Sequence, residues 1–430
     1  MADFDLLVVG AGAAGLMGAL RAAQGGARVC LLERDAAQRS NLMISGGLFA
    51  AAGTRFQAAL GVEDEPALFS ADIRRKTGDG VPPDLLRLVT CRSAEVPVFL
   101  ADEVGLPILL STTARFPGHS VLRLHATPAE SGAELSTLLR DAARQHPRIA
   151  WLDGAEAIGL VVEGGCVTGV RLASGETPRA AWSLLACGGF GGNAALLAEY
   201  VPAAAGARHV GSSASDGRGV LWARSLGASL ACMDAYQGQP HICSESTQAH
   251  RLGAALPALG AIMVDRKGRR FTDERAGPSE LTAHVLAQIG GAVEIWDADA
   301  QAAALRQGPF RAATEAGMVV ACANVLALAA RFSLPADALA QTLAEAGQRP
   351  PFFAAAVTGG IAHTQGGVIL DDCARVLRAD GAPIPGLLAA GGVACGLSGY
   401  GAAGYVPGNG LAQSFTLGLI AGETASTLSH

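Results

Sequence analysis

The pattern of apolar and polar residues in the first 34 positions predicts a β-strand, a helix and a second β-strand. Leu6 to Val9 form a short apolar run of the kind that fills a buried strand. An Ala- and Leu-rich stretch with high helix propensity follows, and Val29 to Leu32 then form a second apolar run that ends at Glu33. This order of elements indicates a βαβ unit with parallel strands.

The pattern changes after this unit. Residues 84–104 and 131–145 have the period of amphipathic helices, and residues 233–362 read as mainly helical, with a strand-like run at 261–264. Strand signals return in GVIL (367–370) and GLLAA (386–390). A small meander is predicted from three apolar runs separated by turn residues: Ile158 to Val162, Val167 to Leu172 and Ala181 to Ala186. We therefore predict an α/β fold in which a Rossmann-like domain is interrupted by an inserted domain and completed by the C-terminus.

Glycines connect the first strand to the first helix, in the sequence GAGAAG from Gly10 to Gly15. Gly10 allows the tight turn, Gly12 lets backbone N–H groups approach a pyrophosphate, and Gly15 lets the helix pack closely on the strand. The helix N-terminus favours phosphate charge, and Glu33, 18 residues after Gly15, accepts hydrogen bonds from ribose hydroxyls. An ordinary strand–helix turn is the structural alternative. The combination predicts a dinucleotide site that also includes Ala13, Ala14 and Arg34.

Composition narrows the class of protein. The 430 residues carry a net charge of −6, so no electrostatic case exists for a nucleic-acid partner. No uninterrupted apolar run reaches membrane-spanning length, and the first residues lack the basic region of a signal peptide. The nine cysteines form no CxxC pattern, which argues against disulfide frameworks and metal sites. We expect a cytoplasmic protein with reduced thiols.

Seven motifs in this order resemble the flavoprotein superfamily of succinate dehydrogenase, fumarate reductase, L-aspartate oxidase and 3-ketosteroid dehydrogenase. The resemblance covers most of the chain and implies bound FAD, a GR2-type FAD-binding domain at 1–235 and 363–430, and an inserted α+β capping domain at 236–362. The motifs are GAGAAG with Glu33, SNLMISGG (40–47), LLACGGFGG (184–192), SDGRG (215–219), VDRKGRRFTDE (264–274), AHTQGGV (362–368), and GLLAAGG (386–392) running on to PGNGLAQS (407–414).

The resemblance also implies which residues hold the cofactor. The last helix begins near Gly408, Asn409, Gly410 and Leu411, which would face the pyrimidine end of the isoalloxazine, where a helix N-terminus stabilises negative charge. Members with covalent FAD carry a histidine where this chain has Ser40 and Asn41, so we expect non-covalent FAD. The other implied cofactor residues are Ser45, Gly46, Gly47, Ala157, Cys187, Gly188, Gly189, Asp216, Gly391 and Gly392, the last of which replaces a glutamate usual in the family.

On the substrate side, the chain departs from the dicarboxylate enzymes of the family. Their carboxylate-binding arginine falls on Tyr405, and their proton-donating arginine falls on Pro278. Their clamp histidine falls on Gln239, with His241 two places on, whereas His363 and Thr364 are retained. A charge-assisted hydrogen bond contributes roughly 1.5–3 kcal/mol, so the loss of two guanidinium groups makes succinate and fumarate poor substrates. A tyrosine suits a carbonyl oxygen instead.

These departures leave several candidate catalytic residues. Tyr405 either donates to a substrate carbonyl or packs on the flavin, and His363 either contacts substrate or is a buried structural histidine. Arg275 directly follows RFTDE and is a replacement for the missing arginine through a shifted loop. Tyr400 is a further candidate. Other side chains with a weaker case are His119 and His125, which resemble an aspartate oxidase stretch, and Glu280 and His284, which read equally well as a surface pair.

The first functional hypothesis is an FAD-dependent dehydrogenase that introduces a C=C bond next to a carbonyl or carboxyl group. Three alternatives stay open: a reductase of an unsaturated acid or ketone, an amine or amino-acid oxidase, and an FAD-binding partner protein without activity. The expected partners are a small-molecule carbonyl or carboxylic substrate and an unidentified electron acceptor or donor.

Overall fold

A computed structural model describes residues 3–35, 39–113, 115–204, 206–253 and 256–427. The chain divides into two compact units. The first comprises Met1–Val201, Gly211–Tyr236 and His363–His430, and the second comprises Pro202–Val210 and Gln237–Ala362. In the described residues, no helix is long and apolar enough to cross a membrane.

The strands of the described chain are β1 (Phe4–Val9), β2 (Val29–Glu33), β3 (Phe49–Ala50), β4 (Leu109–Leu110), β5 (Leu124–Ala126), β6 (Ile149–Asp153), β7 (Ala157–Glu163), β8 (Cys166–Leu172), β9 (Ala180–Leu185), β10 (Arg208–His209), β11 (Leu230–Ala231), β12 (Tyr236–Cys243), β13 (Ile262–Val264), β14 (Ala292–Trp296), β15 (Val320–Cys322), β16 (Phe352–Thr364), β17 (Gly367–Val368), β18 (Arg375–Leu377) and β19 (Pro383–Ala389).

The α-helices are α1 (Ala13–Gln24), α2 (Asn41–Ile44), α3 (Arg55–Ala58), α4 (Pro66–Thr77), α5 (Pro83–Arg92), α6 (Glu95–Asp102), α7 (Gly132–Gln145), α8 (Ala194–Tyr200), α9 (Arg218–Ser225), α10 (Pro278–Leu286), α11 (Ala298–Ala304), α12 (Gly308–Glu315), α13 (Val325–Phe332), α14 (Ala336–Glu345) and α15 (Asn409–Thr427).

The first unit is built on a six-stranded sheet of order β18-β19-β9-β1-β2-β6. All neighbours run parallel except β18 and β19. The predicted βαβ unit is confirmed, since β1 and β2 pair in parallel and α1 connects them. Helix α1 packs on α15 with almost no side chain between the two backbones, because a Cβ at Gly422 would lie 2.6 Å from the carbonyl oxygen of Gly18. The last helix is thereby held against the first.

Two sequence predictions for this unit were wrong in detail. The predicted meander is a hairpin of β7 and β8 only, because β9 pairs with β1 and β19 in the large sheet. The single helix predicted at 84–104 is two helices, α5 and α6. The residue that explains the break is Pro97, which lacks the N–H needed to continue a helix from Ser93 but is tolerated in the first turn of α6.

The second unit contains a sheet of order β10-β16-β14-β13, with β12 and β15 also paired to β16. Its helices are α10 to α14, and its core includes Trp296, Phe310 and Met263. The prediction of a mainly helical region was therefore incomplete. The central strand β16 was missed because its run of alanines and glycines has low β-propensity. Its last two residues, His363 and Thr364, belong to the first unit.

Candidate active site

The first glycine segment has the backbone that a dinucleotide needs. Gly10 has a φ of +103°, and a Cβ at Gly15 would lie 1.9 Å from the carbonyl oxygen of Gly10, so both positions require glycine. Gly12 precedes α1 without a side-chain cap, and a Cβ there would meet no atom within 4 Å. The N–H groups of the first turn, at Ala13 and Ala14, are therefore open to a phosphate.

Glu33 ends β2 and lies beside this turn. Its Oε2 accepts from the backbone N–H of Ala11 at 2.9 Å, and its Oε1 accepts from that of Asp35 at 3.1 Å. Each carboxylate oxygen has a second lone pair that a ribose hydroxyl can use. The next residue, Arg34, forms an ion pair with Asp216 at 3.0 Å.

The segment from Ser40 to Gly47 is held by its own polar side chains. Ser40 caps α2 by accepting from the N–H of Met43 at 3.2 Å. Oδ1 of Asn41 accepts from the N–H of Ser212 at 2.7 Å. Ser45 donates to the Leu42 carbonyl oxygen at 2.7 Å and accepts from the N–H of Gly47 at 3.0 Å. Gly46 has open space around it, with Leu48 the nearest contact of an added Cβ at 3.7 Å.

The later glycines of the predicted cofactor site lie against one another. A Cβ at Gly392 would lie 2.5 Å from the backbone nitrogen of Gly189, and a Cβ at Gly189 would lie 2.3 Å from Oγ1 of Thr364. Gly188 and Gly391 both have positive φ. Burial raises the pKa of the neighbouring Cys187 thiol to about 11, so it is a neutral, unreactive group.

Asp216 and Ala157 are engaged by Arg218. The guanidinium of Arg218 lies 2.8 Å from the Asp216 carboxylate and donates to the carbonyl oxygen of Ala157 at 2.8 Å. These two predicted cofactor residues therefore take part in a charged network within the protein. Their assignment to the cofactor site stays a prediction.

The N-terminus of α15 carries unpaired polar atoms. Gly408 has a φ of +83°, and a Cβ there would lie 2.5 Å from Cδ2 of Leu124. Asn409 is only 1% exposed, yet neither Oδ1 nor Nδ2 has a partner among the described residues. A buried amide without partners is costly. The polar edge of a flavin ring would satisfy it, together with the free N–H groups of the turn that includes Gly410 and Leu411, so these residues fit the cofactor.

Tyr405 and His363 are brought together beside this helix start. Their rings are 5.9 Å apart in a T-shaped arrangement, and a Cβ at Gly410 would lie 3.1 Å from Cε1 of His363. The surrounding protein desolvates the imidazole and lowers the pKa of His363 to about 4. Desolvation also raises the pKa of Tyr405 well above its usual range, against a hydrogen bond from the Gly408 backbone. Both rings are therefore neutral at pH 7 and available as hydrogen-bond donors.

One residue of this region, Gln365, was missed from the sequence. Nε2 of Gln365 lies 3.0 Å from Nδ1 of His363. The Oγ1 of Thr364 accepts from the N–H of Phe190 at 3.0 Å, so the retained His–Thr pair is attached to the second glycine segment. The available signal was a polar residue two positions after His363, a spacing that puts two side chains on the same side of an extended chain.

A buried charge cluster supports the loop before α15. Arg123 pairs with Asp64 at 2.7 Å and with Asp72 at 2.6 Å, and all three side chains are fully buried. Arg123 also lies 3.2 Å from Nδ1 of His119, whose Nε2 lies 2.8 Å from the carbonyl oxygen of Pro407. The charge of Arg123 is thus balanced by two carboxylates, and His119 contacts the backbone of Pro407, next to Gly408.

The other candidates have the following surroundings within their own units. Tyr400 is 65% exposed and its ring packs on Gly80, where an added Cβ would lie 2.9 Å from Cδ2 of the ring. Arg275 belongs to the second unit, where its side chain is 82% exposed and pairs with Asp273 at 3.0 Å. In the same unit, His241 is buried 3.0 Å from Glu294. His125 is buried in the first unit, 2.8 Å from Thr54, and stacks on Phe49.

Comparison with known proteins identifies the family of this chain. The family model described as "FAD binding domain" matches residues 5–411. The probable fumarate reductase Ifc3 of Shewanella frigidimarina is 30% identical over 98% of this chain and 74% of its own length. The 4-oxocyclohexanecarboxylate 2-dehydrogenase of Sinomonas cyclohexanicum is 25% identical over 98% of this chain and 92% of its own length.

A solved structure gives the same result at the level of the fold. The open conformation of a flavocytochrome c3 fumarate reductase superposes with a TM-score of 0.84 at 29% identity, covering 98% of this chain and 78% of that one. A family match over nearly the whole chain establishes membership. The chain therefore belongs to the FAD-binding flavoprotein family that includes the fumarate reductases, and it is an FAD-dependent oxidoreductase of CH–CH bonds.

Proposed function

We propose that this protein oxidises a CH–CH bond next to a carbonyl group, with Tyr405 and His363 as the groups that bind the carbonyl oxygen. The observation that carries the proposal is the contact of these two neutral, desolvated rings, 5.9 Å apart, at the start of α15. Neutral, desolvated donors suit an uncharged acceptor, because they stabilise the partial charge that a carbonyl oxygen develops.

A small dicarboxylate fits this pair less well. A carboxylate that loses its hydration beside these two neutral rings needs a cation to offset that loss. The imidazole of His363 is uncharged at pH 7, and Tyr405 occupies the position of the family's carboxylate-binding arginine. The buried guanidinium close to the loop, Arg123, is already neutralised by Asp64 and Asp72. These charges support a ketone or related carbonyl compound as the substrate.

The proposed chemistry divides between the cofactor and the protein. Bound FAD supplies the acceptor for the hydride that leaves the β-carbon. Tyr405 donates its O–H to the substrate carbonyl oxygen, and His363 donates an N–H to the same oxygen. These hydrogen bonds acidify the C–H bond at the α-carbon, whose hydrogen passes as a proton to solvent water while the β-carbon gives up its hydride and the C=C bond forms. Reoxidation of the bound cofactor would require a separate electron acceptor.

The reverse reaction, reduction of an unsaturated ketone or acid, is the second candidate. The observation in its favour is the 30% identity to a probable fumarate reductase. In that direction Tyr405 would deliver the proton, since Arg275 is exposed and paired with Asp273.

Anaerobic titration of the yellow holoenzyme tests the proposal. Cyclic ketones are expected to bleach the flavin absorbance, whereas succinate is not. Enones that restore the colour of the reduced enzyme would instead support the reductase direction. Bleaching by succinate, with no response to any ketone or enone, would contradict the assignment of the carbonyl to Tyr405 and His363.

We also propose that the FAD is held without a covalent bond, since Ser40 and Asn41 stand at the attachment position and both are hydrogen-bonded within the protein. Acid precipitation is expected to release FAD intact into the supernatant. Flavin that stays with the precipitated protein would refute this.

A further inference from the structure

The side chain of Gln365 is buried against the imidazole of His363. Only 4% of Gln365 is exposed, and its Nε2 lies 3.0 Å from Nδ1 of His363. The backbone holds this residue on both sides. Its N–H donates to the carbonyl oxygen of Ala235 at 2.7 Å, and its carbonyl oxygen accepts from the N–H of Gly396 at 2.7 Å. The amide is therefore kept in one place relative to the ring.

The orientation of the amide decides which nitrogen of His363 carries the proton. Oε1 of Gln365 is buried without a partner among the described residues. Turning the amide over would bury both of its N–H groups at that position without a partner, whereas in the observed orientation one of them is paired with Nδ1. Nδ1 of His363 lies 3.0 Å from Nε2 of Gln365 and 3.4 Å from the carbonyl oxygen of Thr364. Because an amide nitrogen can only donate, the closer of these two contacts makes Nδ1 an acceptor. The proton of a neutral imidazole must then be on its own Nε2.

We infer that Gln365 is a positioning residue that holds His363 as the Nε2–H tautomer, so that this N–H is available to the substrate carbonyl. The Cε1–Nε2 edge of the ring lies over Gly410 at the start of α15, where an added Cβ would lie 3.4 Å from Nε2. The donor is thus on the side of the ring where the helix begins. The inference deepens the proposed function and rests on it for the identity of the acceptor.

A neutral partner at position 365 also keeps His363 uncharged. The titratable group facing the imidazole is Tyr405, and the flanking Thr364 and Gly410 contribute backbone only. Desolvation is the main cause of the lowered pKa of His363. A carboxylate at 365 would favour the imidazolium form and reverse this balance. Gln365 therefore sets both the tautomer and the charge of the donor.

Nuclear magnetic resonance of the holoenzyme labelled with ¹⁵N-histidine tests the inference without any substrate. The His363 signals are identified by their loss in His363→Gln. In the wild type we expect a protonated Nε2 and an unprotonated Nδ1 from about pH 5 to about pH 9. In Gln365→Glu we expect both nitrogens to be protonated at about pH 6. In the matched variant Gln365→Met, which has similar volume and no donor, we expect a neutral ring with mixed tautomers.

Two results would overturn the inference: a wild-type proton on Nδ1, or a tautomer in Gln365→Met that is the same as in the wild type. A second measurement concerns catalysis. With a ketone that bleaches the flavin, Gln365→Met is expected to slow bleaching about tenfold at unchanged FAD content, which corresponds to about 1.4 kcal/mol. If no ketone bleaches the flavin, the proposed function fails, but the labelled spectra still decide the role of Gln365.

Discussion

The glycine segments near the two ends of the chain show two ways of building a cofactor site. In the segment from Gly10 to Gly15, a tight contact is local, because a Cβ at Gly15 would meet the carbonyl oxygen of Gly10 at 1.9 Å. In the segment around Gly408 and Gly410, the equivalent contacts come from Leu124 and His363, far away in the sequence. The first segment is therefore a general binding motif, whereas the last combines binding with groups that are particular to this chain.

The largest effect is expected within the first segment, where two neighbouring glycines have different roles. Gly15→Ala places a methyl group inside the backbone of the turn, which is expected to cost roughly 3 kcal/mol or more of the free energy of unfolding. Since total stabilities are about 5–15 kcal/mol, the variant should melt much earlier and purify without FAD. Thermal unfolding and the flavin absorbance of the purified protein measure this.

Gly12→Ala is the matched control, because its methyl group meets no protein atom within 4 Å. The free energy of unfolding of its apoprotein should stay within about 0.5 kcal/mol of the wild-type value. FAD binding should still weaken by about tenfold or more, since the methyl group occupies the space of the phosphates. Equal loss of stability in both variants would mean that Gly12 is structural and does not face the cofactor.

Glu33→Ala has the next largest expected effect. It removes the proposed ribose acceptor and should weaken FAD binding by about 1–3 kcal/mol. Fluorescence titration of apoprotein with FAD measures the change, and Glu33→Gln, which keeps one acceptor oxygen, should lose less. Unchanged affinity in Glu33→Ala would show that the carboxylate only holds the N–H groups of Ala11 and Asp35.

In the last segment, Gly410→Ala should impair catalysis without impairing folding. Alanine in a helix is favoured over glycine by up to about 1 kcal/mol, so the melting temperature should hold or rise. The new methyl group would lie 3.1 Å from Cε1 of His363 and would displace the ring by a few tenths of an ångström. Flavin reduction by a ketone should slow about tenfold. A normal rate would mean that the position of His363 is not critical.

The smallest effect is expected from Arg275→Ala. The side chain is exposed and paired with Asp273, and exposed ion pairs contribute at most about 1 kcal/mol. The rate of flavin reduction should change less than about threefold, and the free energy of unfolding should change by less than about 0.5 kcal/mol. A loss of more than about tenfold in rate would restore Arg275 as the replacement for the family's missing arginine.

The contrast between the local contacts of the first glycine segment and the distant contacts of the last one also explains which features the sequence predicts. The βαβ unit with Glu33 was predictable because its turn, its helix start and its acid lie within 34 residues. The start of α15 was predictable from its Gly–Asn–Gly motif, but its polar surroundings were not, since His119 contacts the carbonyl oxygen of Pro407 from nearly 290 residues away. Strand β16 was not predicted because alanine and glycine have low β-propensity. Its pairing with β14 in the folded structure shows that it is a strand.

The charge states of the two candidate donors, His363 and Tyr405, also could not be predicted from the sequence. A histidine and a tyrosine can be charged or neutral, and desolvation decides this only once the chain is folded. Likewise, Arg275 follows a family motif closely in sequence, but the side chain pairs with Asp273 at the surface.

The central claim is that the hydroxyl of Tyr405 binds the substrate carbonyl, and the rate of anaerobic flavin reduction in Tyr405→Phe tests it most directly. This substitution keeps the ring that contacts His363 and deletes only the hydroxyl. We predict FAD content close to that of the wild type and a reduction rate lower by about 10²–10⁴-fold, the usual range for a lost general acid or base. A rate within about threefold of the wild type, which is less than 1 kcal/mol, would show that Tyr405 only packs in the site and would contradict the account.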